Sequence, residues 1–224
     1  MRITCTSASA AAVVAFAGLV PVRPTEAAPP AASGPSVESV PAAACGALIA
    51  AQDSRTRVYL VNGPDPFGWA DVAGLGERIR KGGYPRTRVG EVYDLIQFER
   101  EIRTTAREDP TARFALIGFS VSTLAVRGSA AHLTRDGVPV ALLGYVGGDY
   151  LQDTAWAQPA GVGRVVNVTG EGYLLTGRSL FWNGTNLTGA TNVRLRGVAH
   201  FALPSHPQTL AALRTGLADV SREP

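Results

Sequence analysis

The sequence is poor in the residues that build metal centres and disulfide frameworks. Its 224 residues include only two cysteines and three histidines, and these form no cluster with the ligand spacing of a zinc site. Cys5 lies in the N-terminal segment, so a chain processed after that segment keeps only Cys45, which cannot form an internal disulfide. We therefore expect a protein without a metal or another cofactor.

Charge is also scarce, and basic charge is almost entirely arginine. Charged residues make up 17% of the chain, the formal net charge is +3, and Lys81 is the only lysine. A basic run interleaved with aromatic residues is the pattern of a nucleic-acid-binding surface, and the sequence contains no such run. The composition therefore predicts no nucleic-acid partner, and its 46% hydrophobic content is typical of a globular chain.

Long hydrophobic runs are missing as well. Residues 10–22 form an apolar run that is too short to span a bilayer, and small residues near Ala27 and Ala28 follow it. This pattern predicts a signal peptide over 1–28 and a secreted protein, although a disordered Ala-rich tail is the alternative. A Pro- and Ala-rich leader over 29–55 and a single catalytic domain over 56–224 complete the predicted organisation.

From residue 56 onward, short apolar segments alternate with amphipathic ones. Segments such as RVYLVNG and RFALIGF are typical of buried strands, and LIQFEREIRTTARE has its apolar residues at helical spacing. Alternating strands and helices indicate a parallel sheet with helices on both faces. The predicted fold class is therefore α/β, a compact sandwich with a mostly parallel sheet of about five strands.

The segment ARFALIGFSVSTLAV, residues 112–126, carries the first candidate for chemistry. Ser120 directly follows a predicted strand and precedes a predicted helix, as the nucleophile of a strained elbow does. The familiar motif is Gly-x-Ser-x-Gly; here Gly118 supplies the first glycine and Ser122 replaces the second. Ser120 is predicted as a nucleophile, with an ordinary structural serine as the alternative. If the elbow forms, we expect Ser122→Gly to be tolerated.

A catalytic serine needs a general base, and His200 is the favoured candidate. It follows the last predicted strand and comes after Ser120 in the chain, as the order of a Ser, acid, His triad in this type of sheet requires. Two alternatives remain. His206 stands beside Pro207, where we expect a helix cap, and His132 lies within a predicted helix, where we expect it to face solvent.

The acid of the triad is left open between two carboxylates. Asp149 ends the strand that follows the nucleophile unit, and Glu171 ends the next strand. Either could orient the imidazole and stabilise the imidazolium. Asp149 is slightly favoured, and Asp153 is a weaker third choice.

An oxyanion hole needs two aligned backbone N–H groups. Val121, the residue after the nucleophile, is predicted to give one. The loop after the first strand, NGPDPFG, should give the other, and since its prolines have no N–H, the donor is Asp65 or Phe67. Asp65 and Asp71 could alternatively be turn-forming and helix-capping residues.

Three blocks of the sequence, VNGPDPFG, LIGFSVS and GVAHFALPSHPQT, resemble the α/β-hydrolases. The last block is similar to small bacterial exported lipase, esterase and cutinase-like hydrolases. The resemblance implies Ser120 as nucleophile and His200 as base, and leaves the choice between Asp149 and Glu171 open. With the short chain, it also implies an open site without a cap domain.

These observations predict an exported serine hydrolase that cleaves carboxylic esters of a small molecule, a lipid or a polyester. A hydrolase-like binding module without activity is one alternative, and a thioesterase or acyltransferase using the same serine is another. Trp156, Phe181 and Trp182 lie in loops that could line the substrate pocket, although packing beneath those loops is an equal explanation.

Overall fold

A computed structural model describes residues 53, 55–65, 67–148, 153, 157–171 and 185–222. The predicted signal peptide lies outside the described residues, as does the predicted leader apart from Asp53 and Arg55. Asp53 is joined to the folded chain, because its carboxylate accepts a hydrogen bond of 2.6 Å from Ser221 Oγ in the last helix.

The centre of the fold is a sheet of six strands that all run parallel. The strands are β1 Thr56–Asn62, β2 Thr87–Glu91, β3 Arg113–Phe119, β4 Val140–Val146, β5 Val162–Glu171 and β6 Thr191–Arg196. Their order in the sheet is β2-β1-β3-β4-β5-β6. The count is one higher than the five or so strands that the sequence predicts, and the two edge strands, β2 and β6, lack the apolar run that marks a buried strand.

Four helices cover the two faces of this sheet. Their bounds are α1 Val72–Lys81, α2 Leu95–Glu108, α3 Ser122–Arg135 and α4 Pro207–Arg222. Because side chains alternate across a strand, β1 supplies Leu60 to the core shared with α1 and α4, and Tyr59 to the core shared with α2 and α3. The α/β sandwich predicted from the sequence is thus confirmed. Within the described residues no helix is inserted as a cap.

Local signals in the sequence mark both ends of α1. The Asp71 carboxylate accepts the N–H of Gly74 at 2.8 Å and caps the helix, and Gly82, where the sequence predicts a C-cap, follows its last residue. Asp94 directly precedes α2, where the sequence predicts an N-cap, but it does not cap this helix with its side chain. Its carboxylate accepts the N–H of Glu91 at 2.8 Å and closes the short 3₁₀ turn between β2 and α2.

No helix in the described part of the chain combines the length and the apolar character that crossing a bilayer requires.

Candidate active site

Ser120 occupies a strained turn between β3 and α3. Its φ is +59°, which makes it the one non-glycine residue with positive φ in the described part of the chain. A side chain in this left-handed region costs roughly 1–2 kcal/mol. The turn is held in place because the Ser120 N–H donates to the carbonyl of Val146 at 2.9 Å, extending the pairing of β3 with β4. This is the geometry of a nucleophile elbow.

The first glycine of the elbow is required by the close crossing of strand and helix. A methyl group added at Gly118 would lie 2.8 Å from the carbonyl carbon and oxygen of Ser122, and equally close to Cα of Thr123. Backbone atoms cannot move away as a flexible side chain can. Gly118 therefore allows α3 to start directly over the end of β3.

Ser122 takes the place of the second glycine and uses its hydroxyl to bind the turn. The side chain is fully buried, and its Oγ accepts the N–H of Phe119 at 2.9 Å. The same Oγ lies 2.6 Å from the carbonyl oxygen of Val61 and 2.7 Å from that of Phe119, either of which can accept its proton. Ser122, which replaces the second glycine of the motif, thus connects β1 to the elbow.

The expectation that Ser122→Gly is tolerated must therefore be revised. Removing the hydroxyl leaves the buried Phe119 N–H and Val61 carbonyl without this partner, which costs about 1–3 kcal/mol. We expect Ser122→Gly and Ser122→Ala each to lower the free energy of unfolding by that amount, measured by denaturant or thermal unfolding. An unchanged midpoint in both variants would contradict the role assigned to Oγ.

His200 contacts Ser120 at the edge of the sheet where β3 ends. It begins a 3₁₀ turn, His200–Ala202, after β6, and its Nε2 lies 2.9 Å from Ser120 Oγ. The imidazole packs against two aromatic rings, with centroid distances of 5.0 Å to Phe119 and 5.3 Å to Phe201, and these two rings also contact each other at 6.4 Å. These contacts fix the ring so that Nε2 can accept the serine proton, as a general base must.

The other two histidines lie elsewhere. His206 Nδ1 accepts the N–H of Gln208 at 3.3 Å, so this side chain caps the start of α4. His132 is exposed near the end of α3. Both positions agree with the alternatives considered for these residues.

Two of the three acid candidates have other partners. The Glu171 carboxylate forms ion pairs with Arg194 at 3.1 Å and Arg196 at 3.9 Å, both on β6. Asp153 accepts the N–H and the hydroxyl of Thr188, each at 2.7 Å, and these bonds lower the pKa of the Asp153 carboxyl. Asp149 lies outside the described residues.

The Nδ1 side of the imidazole faces the end of β4. A methyl group added at Gly147 would lie 2.7 Å from Cε1 and 3.0 Å from Nδ1 of His200. Gly147 immediately follows β4 and precedes Asp149 by two positions in the sequence. Nδ1, the nitrogen that a triad acid must contact, is therefore close to the end of β4, and Asp149 comes shortly after that strand in the sequence.

The two predicted oxyanion elements also lie on this edge. Val121 stands at the N-terminus of α3, and a methyl group added at Gly63 would come within 3.4 Å of the Val121 nitrogen and 3.2 Å of Ser120 Cβ. The end of β1 therefore borders the space beside the Val121 N–H, where an oxyanion would lie. A side chain at Gly63 would intrude on that space.

The Asp65 side chain organises the loop after β1. Its carboxylate accepts the N–H groups of Ala70 at 2.7 Å and Trp69 at 3.1 Å. Desolvation acts to raise the pKa of Asp65, but these donors outweigh it and hold the pKa below its ordinary value. The turn-forming alternative thus describes the Asp65 carboxylate. The oxyanion role predicted for this loop concerns a backbone N–H, of Asp65 or of Phe67, and stays a prediction.

A series of ring contacts runs from this loop to His200, and the sequence does not predict it. The Phe67 and Trp69 rings stack at 4.8 Å, Trp69 meets Phe201 edge-on at 5.3 Å, and Phe201 meets His200. Both Phe67 and Trp69 are exposed. Trp156, Phe181 and Trp182, for which the sequence leaves a pocket-lining role and packing beneath a loop as alternatives, lie outside the described residues.

No protein-family model matches the sequence, and no curated protein matches it. Several solved structures are similar in fold. The predicted CIB-like hydrolase from Thermoplasma acidophilum is 15% identical with a TM-score of 0.48, over 75% of this chain and 88% of that one. XC6422 from Xanthomonas campestris, described as an α/β serine hydrolase without a lid, is 15% identical with a TM-score of 0.46, over 76% and 84%.

The RedJ thioesterase from Streptomyces coelicolor is 15% identical with a TM-score of 0.43, over 73% of this chain and 91% of that one. Because these scores are below 0.5, the assignment of the fold depends on the geometry of this chain. A parallel sheet covered on both faces, a strained serine elbow after a central strand, and a histidine downstream of it define an α/β-hydrolase fold. The fold implied by the sequence resemblance is thus confirmed.

Proposed function

We propose that this protein is a serine hydrolase that cleaves carboxylic esters through an acyl-enzyme intermediate. The observation that carries the proposal is the 2.9 Å contact between Ser120 Oγ and His200 Nε2, with the serine raised on a strained elbow. A serine hydroxyl at such a turn is activated when an adjacent base can take its proton.

In the proposed reaction, Ser120 Oγ attacks the ester carbonyl carbon while His200 Nε2 takes its proton. The negative charge that develops on the carbonyl oxygen is held by the Val121 N–H and a second N–H from the loop after β1, for which Asp65 is the candidate. His200 then protonates the departing alkoxide, which leaves as the alcohol. Water, deprotonated by the same imidazole, releases the acid and restores Ser120.

We also propose that the protein is exported. The support is the apolar run over residues 10–22 followed by small residues near Ala27 and Ala28. Export would place the site in contact with extracellular esters, which agrees with the predicted lipid or polyester substrates.

The experiment that tests the proposal combines labelling with a substrate series. We expect a fluorophosphonate probe to attach to the peptide that carries Ser120, and the purified protein to hydrolyse p-nitrophenyl esters of two to twelve carbons. The same acyl groups offered as thioesters measure the alternative activity. Faster turnover of the thioesters would reassign the substrate class, and an unlabelled, inactive protein would instead indicate a binding module.

A further inference from the structure

Two segments that are far apart in the sequence carry groups proposed for catalysis. The loop between β1 and α1 holds the candidate oxyanion donor, and the turn over residues 200–206, which we call the histidine turn, begins with His200. The Trp69 ring of the loop meets Phe201 of the turn edge-on, at a centroid distance of 5.3 Å. Hydrogen bonds are more directional than ring contacts, so a polar connection between the two segments would fix their relative position more narrowly.

Arg78, on α1, makes such a connection. Its Nη1 donates to Asp71 Oδ2, and its Nη2 donates to the carbonyl oxygen of Pro204, each at 3.0 Å. Asp71 ends the loop after β1, and Pro204 lies within the histidine turn. Because the guanidinium is planar and presents its donors in a fixed fork, bonds from its two terminal nitrogens hold the two acceptors at one separation.

Both acceptors are in turn fixed to the rest of the site. The Asp71 carboxylate also accepts the N–H of Gly74 at 2.8 Å, which attaches it to the start of α1. Pro204 directly follows Leu203, which is fully buried in the core shared with α1 and α4 and whose N–H donates to the His200 carbonyl at 3.2 Å. A movement of Pro204 would therefore reach the backbone of His200 through a single turn of the chain.

The exposure of the Arg78–Asp71 pair indicates that its main effect is not on stability. The two side chains are 35% and 51% accessible, and ion pairs this exposed contribute little to the free energy of unfolding. The contact between Ser120 Oγ and His200 Nε2, in contrast, depends on its 2.9 Å separation. Misplacing a catalytic group by about 1 Å can lower a rate about 100-fold. Loss of the connection should therefore affect the reaction more than the fold.

We infer that Arg78 is a positioning residue, which holds the loop after β1 and the histidine turn at the separation that the Ser120–His200 pair requires. Arg78 acts through Asp71 and Pro204 and takes no direct part in the reaction. This inference rests on the proposed function, because it assigns a role in that reaction. The competing explanation is that Arg78, a basic residue in the last turn of α1, only stabilises that helix.

Arg80 provides a matched control on the same helix. It lies in the same last turn, its side chain is 40% accessible, and it also binds one carboxylate and one backbone carbonyl, those of Glu77 and Thr87. Thr87 begins β2, whereas Ser120 follows the end of β3, so the length of the parallel strands separates the two sites. Arg78→Met and Arg80→Met therefore remove the same kinds of bond, and only the first affects the histidine turn.

The test compares the full chain with the variants Arg78→Met, Arg78→Lys and Arg80→Met. We expect Arg78→Met to lower kcat for p-nitrophenyl butyrate, and the rate of fluorophosphonate labelling, by about 10- to 100-fold, with KM within about twofold of the parent. Arg78→Lys keeps the charge and a donor, so it should lose less. Arg80→Met should keep both rates within about twofold, and the urea midpoints of the two methionine variants should be similar.

Amide hydrogen exchange reports on the histidine turn independently of catalysis. Loss of a bond that holds a segment in place increases its local opening, and exchange of its amides becomes faster. We expect the amides of the histidine turn to exchange faster in Arg78→Met than in the parent. In Arg80→Met they should exchange at the parent rate.

Three results would overturn the inference: the parent kcat in Arg78→Met, equal losses of kcat in Arg78→Met and Arg80→Met, or unchanged exchange in the histidine turn. The two proposals fail separately. An active parent whose rates do not depend on Arg78 rejects the inference and leaves the proposed function intact. A parent that is inactive and unlabelled rejects the proposed function, and the exchange measurement then decides alone whether Arg78 holds the turn.

Discussion

Ser120→Ala is expected to lower kcat for p-nitrophenyl butyrate by about 10⁴- to 10⁶-fold, the range seen when a serine nucleophile is removed from a triad. The physical reason is that Ser120 Oγ is the hydroxyl that His200 Nε2 contacts at 2.9 Å, so its removal leaves this base without the nucleophile that it would activate. The residual rate should come from the oxyanion donors alone. The measurement is steady-state hydrolysis with the variant in the micromolar range, its concentration taken from protein absorbance, while the active sites of the parent are titrated with the fluorophosphonate.

Stability separates loss of chemistry from loss of fold in this experiment. Ser120→Ala keeps a side chain at φ +59°, so its free energy of unfolding should stay close to that of the parent. Ser120→Gly removes the strain of the left-handed conformation and should be no less stable, although it is equally inactive. Normal activity in either folded variant would reject Ser120 as the nucleophile.

Because Ser120 and His200 are expected to act together, the effects of substituting them should not be additive. His200→Ala should lose activity on a similar scale, and the double variant Ser120→Ala/His200→Ala should lose no more than the worse of the two single variants. Residues that act as a unit behave in this way because removing either one disables the same step. Multiplicative losses would instead mean that the two side chains act independently of each other.

The parts of the fold that the sequence predicts well are those in which burial imposes a pattern. Strands β1 and β3 lie inside the sheet, are buried on both faces, and appear as continuous apolar runs. The edge strands β2 and β6 are mostly half-buried or exposed, so their patterns are weaker, and the predicted count of about five strands is one below the six observed. The sequence predicts Asp94 as the cap of α2 and so marks the start of that helix, but the Asp94 carboxylate closes the turn before it.

The elbow was predicted from its context, but its hydrogen bonds were not predictable. The pattern Gly-x-Ser-x-Ser does not reveal that Ser122 Oγ reaches Val61 on the neighbouring strand, because that contact joins residues 61 positions apart. For the same reason, the grouping of exposed apolar side chains at one edge of the sheet could not be predicted from the sequence. Phe67, Tyr93 and Val121 are distant in the sequence and look like ordinary loop residues until the strand order brings their strands together.

Asp149→Asn is the second change from which we expect a large effect, a loss of kcat of about 10³- to 10⁴-fold. His200 Nδ1 lies close to Gly147, at the end of β4, and Asp149 is the first carboxylate in the sequence after that glycine. Without a carboxylate partner the imidazole is not held in the tautomer that can accept the Ser120 proton, and the imidazolium is less stable. Steady-state hydrolysis and the rate of fluorophosphonate labelling should both fall.

Glu171→Gln is the matched comparison, since it makes the same chemical change at the rival position. The Glu171 carboxylate is bound to Arg194 and Arg196 on β6, so it would have to leave two cations to serve His200. These partly exposed ion pairs contribute at most about 1 kcal/mol each. We therefore expect Glu171→Gln to be slightly less stable and to keep kcat within about threefold of the parent. A large loss in Glu171→Gln, with Asp149→Asn nearly unaffected, would reverse the assignment and require the arginine pairs to open during catalysis.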